Sequence, residues 1–302
     1  MIVLTVGTRY VEIDGYASCL AYRELLKMNG IDSKFVTFAP LNYSITQSLL
    51  NESYKIDDYT VGPDDNFIIL DLSNKDFFPD FVNEDKIIEL IDHHFGFENY
   101  WTDKLGNKSI IEPIGSVATI IVEKYEQNNL LKKMDKGIAK LLMAAILDNT
   151  LNFTAKITTN RDKKAYFKLQ SITGEENFAE LYFSECQRTI EDKLEASIVN
   201  DLKYQNQNKY LPRIIGQLTI WDIEKVMNKK EQIIKIMNGQ ENKWIINIIS
   251  LKDNISYIIC SDDVTQRNFK NLFVSESNND FIVIKPAMLR KEIIHVALKS
   301  GL

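Results

Sequence analysis

Apolar residues in the first half of the chain fall into short continuous runs separated by stretches of helical period. Ile2–Val6, Phe35–Phe38, Phe67–Asp71 and Ile87–Asp92 are β-branched or aromatic runs bounded by polar and turn-forming residues, the pattern of buried strands. Between them, Ala17–Asn29 carries Leu20, Leu25, Leu26 and Met28 at helical spacing and stops at Gly30. Ser116–Tyr125 and Lys136–Leu147 share that period. Strands alternating with helices predict an α/β domain built on a doubly wound, mainly parallel sheet.

The pattern changes in the second half. A charged helical stretch runs from about Phe178 to Leu202. Beyond it, Ile214–Ile220, Trp244–Leu251, Ser256–Cys260 and Phe281–Lys285 read as strands, with Ile223–Met237 as an amphipathic helix. This predicts a smaller α+β unit. With 302 residues to divide, the expected domains are 1–190 and 191–302.

Composition narrows the function classes. The chain is 45% apolar and 26% charged, with 12 Gly and 6 Pro, so neither a linker-like nor a collagenous organisation fits. A net charge of −6 argues against a broad basic surface for nucleic acid or anionic lipid. No apolar run is long enough for a membrane span, and Arg9, Glu12 and Asp14 follow the first strand too closely for a secretory signal. A cytoplasmic protein without a membrane or nucleic-acid partner is expected. Cys19, Cys186 and Cys260 are too few and too scattered for a disulfide framework, and read as packed thiols.

In a parallel sheet, ligands gather beyond the carboxyl ends of the strands. Those positions hold Glu12 and Asp14 after the first strand, Asp71 after Phe67–Leu70, and Asp92-His93-His94 after Ile87–Ile91. Asp148-Asn149 follows the apolar run Leu141–Leu147. A carboxylate directly after four apolar residues is costly unless solvated or paired. Only three histidines occur, and two of them are adjacent. Hard oxygen donors with imidazole suit Mn²⁺ or Mg²⁺ better than a thiolate-bound zinc.

Taken in order, these segments resemble the DHH phosphoesterase family, and within it the manganese-dependent family II inorganic pyrophosphatases and their exopolyphosphatase relatives. The resemblance rests on Gly7-Thr8-Arg9-Tyr10-Val11-Glu12-Ile13-Asp14, on Asp71, on Asp92-His93-His94, and on Glu112-Pro113-Ile114-Gly115-Ser116. A fourth motif, Ala145-Ile146-Leu147-Asp148-Asn149-Thr150, is followed by Thr158-Thr159 and Asp162. In the second half, Asp201-Leu202-Lys203-Tyr204, Gly216-Gln217-Leu218 and Leu289-Arg290-Lys291-Glu292 look like the companion domain of those pyrophosphatases. No Gly-Gly pair occurs, whereas family members acting on nucleic acids or dinucleotides usually carry a glycine-rich motif there.

The resemblance implies a metal-dependent phosphohydrolase that cleaves pyrophosphate or a related small polyphosphate, with its active site in the cleft between the domains. One or two Mn²⁺ ions (or Mg²⁺ or Co²⁺) would be held by Glu12, Asp14, Asp71, His93 and either Asp148 or Asn149. Asp71 would bridge, His94 would face the substrate phosphate, and Asp92 would orient the imidazoles. Lys203, Arg290 and Lys291 would grip the phosphates, and a homodimer through the sheet edge of the first domain is an option. The chain departs from the family pattern at Thr8, Tyr10, Val11 and Glu12, where those pyrophosphatases have His, Asn, Pro and Asp; Asn149 stands at the usual position of the fourth-motif Asp. Two alternatives stay open: a phosphodiesterase for short oligonucleotides or dinucleotides, and a phosphate-ligand binding protein with little catalysis.

Overall fold

The computed structural model describes residues 1–50, 54–206, 208, 210–273, 276, 277 and 281–299. The first half runs β1 (Ile2–Thr5), α1 (Ile13–Met28), β2 (Ser33–Phe35), β3 (Asn66–Leu70), β4 (Ile87–Asp92), α2 (Glu98–Leu105), β5 (Ser109–Ile111), α3 (Val117–Gln127), α4 (Lys136–Asn149) and α5 (Asn160–Thr173). The second half runs α6 (Phe178–Asp192), α7 (Leu194–Val199), β6 (Lys203–Tyr204), β7 (Ile214–Ile220), α8 (Glu224–Met227), α9 (Lys230–Asn238), β8 (Trp244–Ser250), β9 (Ile255–Cys260), α10 (Asp263–Leu272), β10 (Glu276–Ser277), β11 (Ile282–Ile284) and α11 (Arg290–Lys299). Two compact units result: Met1–Thr150 with Ile157–Phe178, and Leu151–Lys156 with Ala179–Leu302.

The first unit is built on a five-stranded sheet in the order β2-β1-β3-β4-β5, with every neighbouring pair parallel. From β1 the chain steps to one side to form β2, then crosses to the other side for β3. At that reversal the connections leave in opposite directions, and the carboxyl ends of β1 and β3 are where sheets of this kind bind ligands. The central strands β1 and β3 are apolar on both faces, as parallel strands covered by helices must be. Helix α1 packs against α3 and α4. One charge within this core is satisfied locally: buried Glu89 on β4 accepts from Tyr22 Oη at 2.6 Å and from Lys124 Nζ at 2.8 Å.

The second unit carries a six-stranded mixed sheet, β10-β11-β9-β8-β7-β6, in which only β7 and β8 run parallel. Ile215, Ile245, Ile258, Phe269, Ile282 and Ile293 fill its core. The α/β unit followed by a smaller α+β unit agrees with the expected fold class. Two local readings differ. The strand expected at Phe35–Phe38 is Ser33–Phe35, and Phe38 is exposed with its ring edge-to-face against Phe81. Ile223–Met237 is broken at Asn228-Lys229 into α8 and α9. The helix expected over Lys136–Leu147 is present as α4 and runs on through Asp148-Asn149. Among the described residues no helix is long and apolar enough to cross a membrane.

Backbone strain concentrates beyond β3 and α4. Asp71 has φ 59°, and Leu151, Asn152 and Phe153 follow one another at 49°, 52° and 67°. Each left-handed L-residue costs about 1–2 kcal/mol.

Close packing also fixes where α1 lies. A Cβ on Gly15 would sit 2.9 Å from Val6 Cγ1 and 3.5 Å from Asp71 Oδ2, and Val6 is buried and stiff about χ1. Gly15→Ala is therefore expected to lower stability by about 1–3 kcal/mol in a urea titration. Unchanged stability would mean that α1 is not pressed against the end of β1.

Candidate metal centre

Asp71 is the first residue past β3. Its amide donates to Ile91 O at 2.9 Å, so the turn is tied to β4, and its left-handed φ is held by that frame. His93 and His94 follow β4 directly. Three ligand-bearing side chains thereby meet at one sheet edge: one ligand atom each from Asp71, His93 and His94 lies within 4.8 Å of the others, the group of this kind found among the described residues. His93 Nε2 is 3.3 Å from Asp71 Oδ1 and 3.8 Å from Asp14 Oδ2; His94 Nδ1 is 3.9 Å from Asp71 Oδ1.

Ring orientation follows from hydrogen-bond chemistry. His93 Nδ1 lies 3.1 Å from the Ile114 carbonyl oxygen. A carbonyl only accepts, so Nδ1 carries the hydrogen and Nε2 is the nitrogen left for a proton or a metal. It is buried and faces two carboxylates. A bare lone pair there would oppose acceptor to acceptor, so the arrangement calls for a cation or proton among these atoms. Asp92 serves the other ring: its Oδ1 accepts from His94 Nδ1 at 2.8 Å and from the amides of His93 at 2.7 Å and His94 at 3.2 Å. Full burial opposes the Asp92 charge, but the attraction of His94 and its hydrogen bond, then of His93, hold that carboxyl well below the usual range.

Asp14 stands in the first turn of α1, fully buried. Its carboxylate accepts from Ser116 Oγ at 2.9 Å, Val117 N at 3.0 Å and Ala118 N at 2.9 Å. It thus sits on the amino end of α3, where free amides and the helix dipole favour an anion. Ser116 and these amides went unassigned in the sequence, although a Ser directly after Gly115 and before an apolar helical run is an N-cap signal. Ile114 could not have been found that way, because its contribution is a backbone carbonyl.

The other expected residues are distributed as follows. Glu12 is the N-cap position of α1 without a side-chain capping bond, two residues before Asp14. Thr8 Oγ1 and the Thr8 amide both donate to Phe77 O, at 3.3 and 3.1 Å, so that side chain ties down a loop. Asp148 and Asn149 are the last two residues of α4; Asn149 is buried and Asp148 half-buried. Adjacent helical positions diverge by about 100°, so the two side chains point in different directions. In the second unit, Lys203 begins β6 and Lys291 lies in the first turn of α11, both half-buried. Arg290 is buried: its Nη1 donates to Asp201 Oδ2 at 2.7 Å, to Asp201 O, and to Ile215 O at 3.3 Å.

The donor set is hard. Cys19 on α1 is buried, and burial together with the Asp71 charge pushes its thiol well up, so it stays protonated. Imidazole and carboxylate without thiolate fit Mn²⁺ or Mg²⁺ chemistry.

Comparison with known proteins bears on the same segments. Residues 2–146 match the family model described as the DHH family, N-terminal domain, a span that includes Asp14, Asp71, Asp92, His93 and His94. The manganese-dependent inorganic pyrophosphatase of Methanothrix thermoacetophila is 24% identical over 99% of this chain and 98% of its own length. The manganese-dependent inorganic pyrophosphatase of Bacillus subtilis is 23% identical over 97% of each chain. A Methanococcus jannaschii crystal structure assigned as a family II inorganic pyrophosphatase covers 100% of this chain and 99% of its own, with a TM-score of 0.72 at 22% identity, which shows a shared fold.

Replacing Asp71 by glycine should separate strain from binding. Asp71→Gly is expected to raise metal-free stability by about 1 kcal/mol in thermal unfolding, and to abolish divalent-metal binding in calorimetric titration. Retained binding would remove Asp71 from the site.

Proposed function

The chain carries a DHH-family N-terminal domain, and from that premise we propose that it is a Mn²⁺-dependent phosphohydrolase cleaving the phosphoanhydride bond of pyrophosphate or a related small polyphosphate. The observation that carries this is His93: its Nδ1 is committed to the Ile114 carbonyl, and its Nε2 faces Asp71 and Asp14. Together with His94, which is half-buried, these residues form an anionic and imidazole donor set that fits one or two divalent ions.

When bound, such ions supply a Lewis acid for phosphoryl oxygens and a water of lowered pKa. Asp71 and Asp14 provide the negative charge that holds them, and His93 presents Nε2 in a fixed orientation. Asp92 keeps the His94 ring turned by its Nδ1 bond, which directs His94 to a phosphate oxygen through its other nitrogen. Glu12, Asp148 and Asn149 are proposed as further oxygen donors. Lys203, Arg290 and Lys291 are proposed to bind the phosphates, Arg290 in addition to its ion pair with Asp201. The cytoplasmic location and homodimer expected from the sequence belong to this proposal.

A second reading, a phosphate-ligand binding protein with little turnover, is favoured by one observation: Thr8, where the pyrophosphatases have a ligand histidine, spends its hydroxyl on Phe77 O.

Phosphate release from pyrophosphate and tripolyphosphate, with Mn²⁺, Mg²⁺ or Co²⁺, tests the proposal. Wild type is expected to turn over, and Asp71→Ala to be slower by roughly a hundredfold or more. Equal, slow release by both proteins would overturn the catalytic reading. Tight calorimetric binding of pyrophosphate without turnover under any metal would favour the second.

A further inference from the structure

We infer that Asp162 is a positioning residue for the metal centre, acting on His93 through the single peptide group between Ile114 and Gly115. The inference rests on the metal-site reading above and adds a residue that lies well outside the cluster in sequence.

Asp162 lies in the first turn of α5 and is fully buried. Part of its role is local. With Thr159 it completes a capping box, accepting from Thr159 N and Thr159 Oγ1, each at 2.7 Å. A capping box alone needs neither complete burial nor a partner far along the chain. Yet Asp162 Oδ2 also accepts from Gly115 N at 3.1 Å, and Oδ1 from Thr119 Oγ1 at 2.6 Å.

Gly115 N–H belongs to the same peptide group as the Ile114 carbonyl, and that carbonyl accepts from His93 Nδ1. In a trans peptide the C=O and N–H point in opposite directions. The carboxylate therefore pulls on one side of the peptide plane while the imidazole N–H is held on the other. An acceptor on the amide polarises its carbonyl, since chains of hydrogen bonds strengthen one another. The Ile114 oxygen then becomes a stronger acceptor for His93 Nδ1–H, which raises electron density at Nε2. This is the effect of a carboxylate bonded directly to a metal-ligating histidine, relayed here through one amide.

The peptide plane cannot swing away from this alignment. A Cβ on Gly115 would stand 2.6 Å from Thr150 Cγ2 and 2.8 Å from Asp162 Cγ and Oδ2, so the segment is clamped with no room for a side chain. Gly115 thus allows the carboxylate to approach closely, Asp162 fixes the plane, and the plane fixes the His93 ring.

The test compares Asp162→Asn and Thr119→Val with wild type. It uses calorimetric titration of the metal-free protein with Mn²⁺ alone, thermal unfolding, and the ¹H shift of the His93 Nδ1 proton without metal. Asp162→Asn keeps the shape and removes the charge. It is expected to weaken Mn²⁺ binding by about tenfold and to move the Nδ1 proton upfield. Thr119→Val removes a competing donor from Asp162 but leaves the Gly115 bond. It is expected to lower the Tm while holding Mn²⁺ affinity within about twofold of wild type, or raising it. Should Asp162→Asn not fold, Thr119→Val decides alone, because a purely structural role makes affinity fall with stability. Affinity in folded Asp162→Asn within twofold of wild type, or an affinity loss in Thr119→Val that follows its Tm, overturns the relay. Wild type that binds no Mn²⁺ would overturn the metal-site reading itself, whereas wild-type binding with an unchanged Asp162→Asn affinity overturns only the relay.

Discussion

Two buried carboxylates and a buried imidazole nitrogen face one another at the carboxyl edge of the first sheet, and the rest of that unit is organised to hold them there. Asp14 and Asp71 each bring an oxygen within 4 Å of His93 Nε2. Two such oxygens are at most about 8 Å apart, where like charges still repel by about 2 kcal/mol at an effective dielectric of 20. The neighbouring Asp92 adds a third buried acid, fully enclosed and paired with His94. A fold that aims this much negative charge at one imidazole gains from a divalent cation among the groups, and the surrounding hydrogen bonds show how the charge is sustained.

Each ligand is held by a different device. Asp14 rests on the amino end of α3, where backbone amides and the Ser116 hydroxyl take up its charge. Asp71 is presented by a left-handed turn tied to β4, a conformation that a residue other than glycine or asparagine adopts at a cost. His93 is set by a backbone carbonyl from the segment before α3, and His94 by Asp92. Helix α3 and the Ile114–Ser116 segment before it therefore touch two of the ligands at once. A change in that segment would reach both Asp14 and His93, even though none of its own side chains belongs to the donor group.

The centre of the first sheet was legible because β1, β3 and β4 are short apolar runs, and β3 and β4 lead straight into Asp71 and Asp92-His93-His94. Those endings mark the edge where ligands gather, and Asp71 and Asp92-His93-His94 were readable for that reason. The short edge strand β5 and the polar helices α2, α5 and α10 were not, since their apolar faces are narrow and tertiary packing decides them. The site was legible in its side chains and opaque in its backbone. Nothing in the residue type of Ile114 says that its carbonyl will orient a histidine, and Asp162 is separated from Gly115 by 47 positions. The partners of Arg290 were opaque too: its Nη1 is held by Asp201, 89 positions earlier, and by the Ile215 carbonyl of β7, contacts that no residue type announces.

The most direct measurement is anomalous diffraction at the manganese absorption edge from crystals of the wild-type protein grown with Mn²⁺. A peak is expected roughly 2.0–2.4 Å from both an Asp71 carboxylate oxygen and His93 Nε2, with His93 Nδ1 still on the Ile114 carbonyl. Full Mn²⁺ occupancy elsewhere, with no peak between those two atoms, would contradict the metal centre described here.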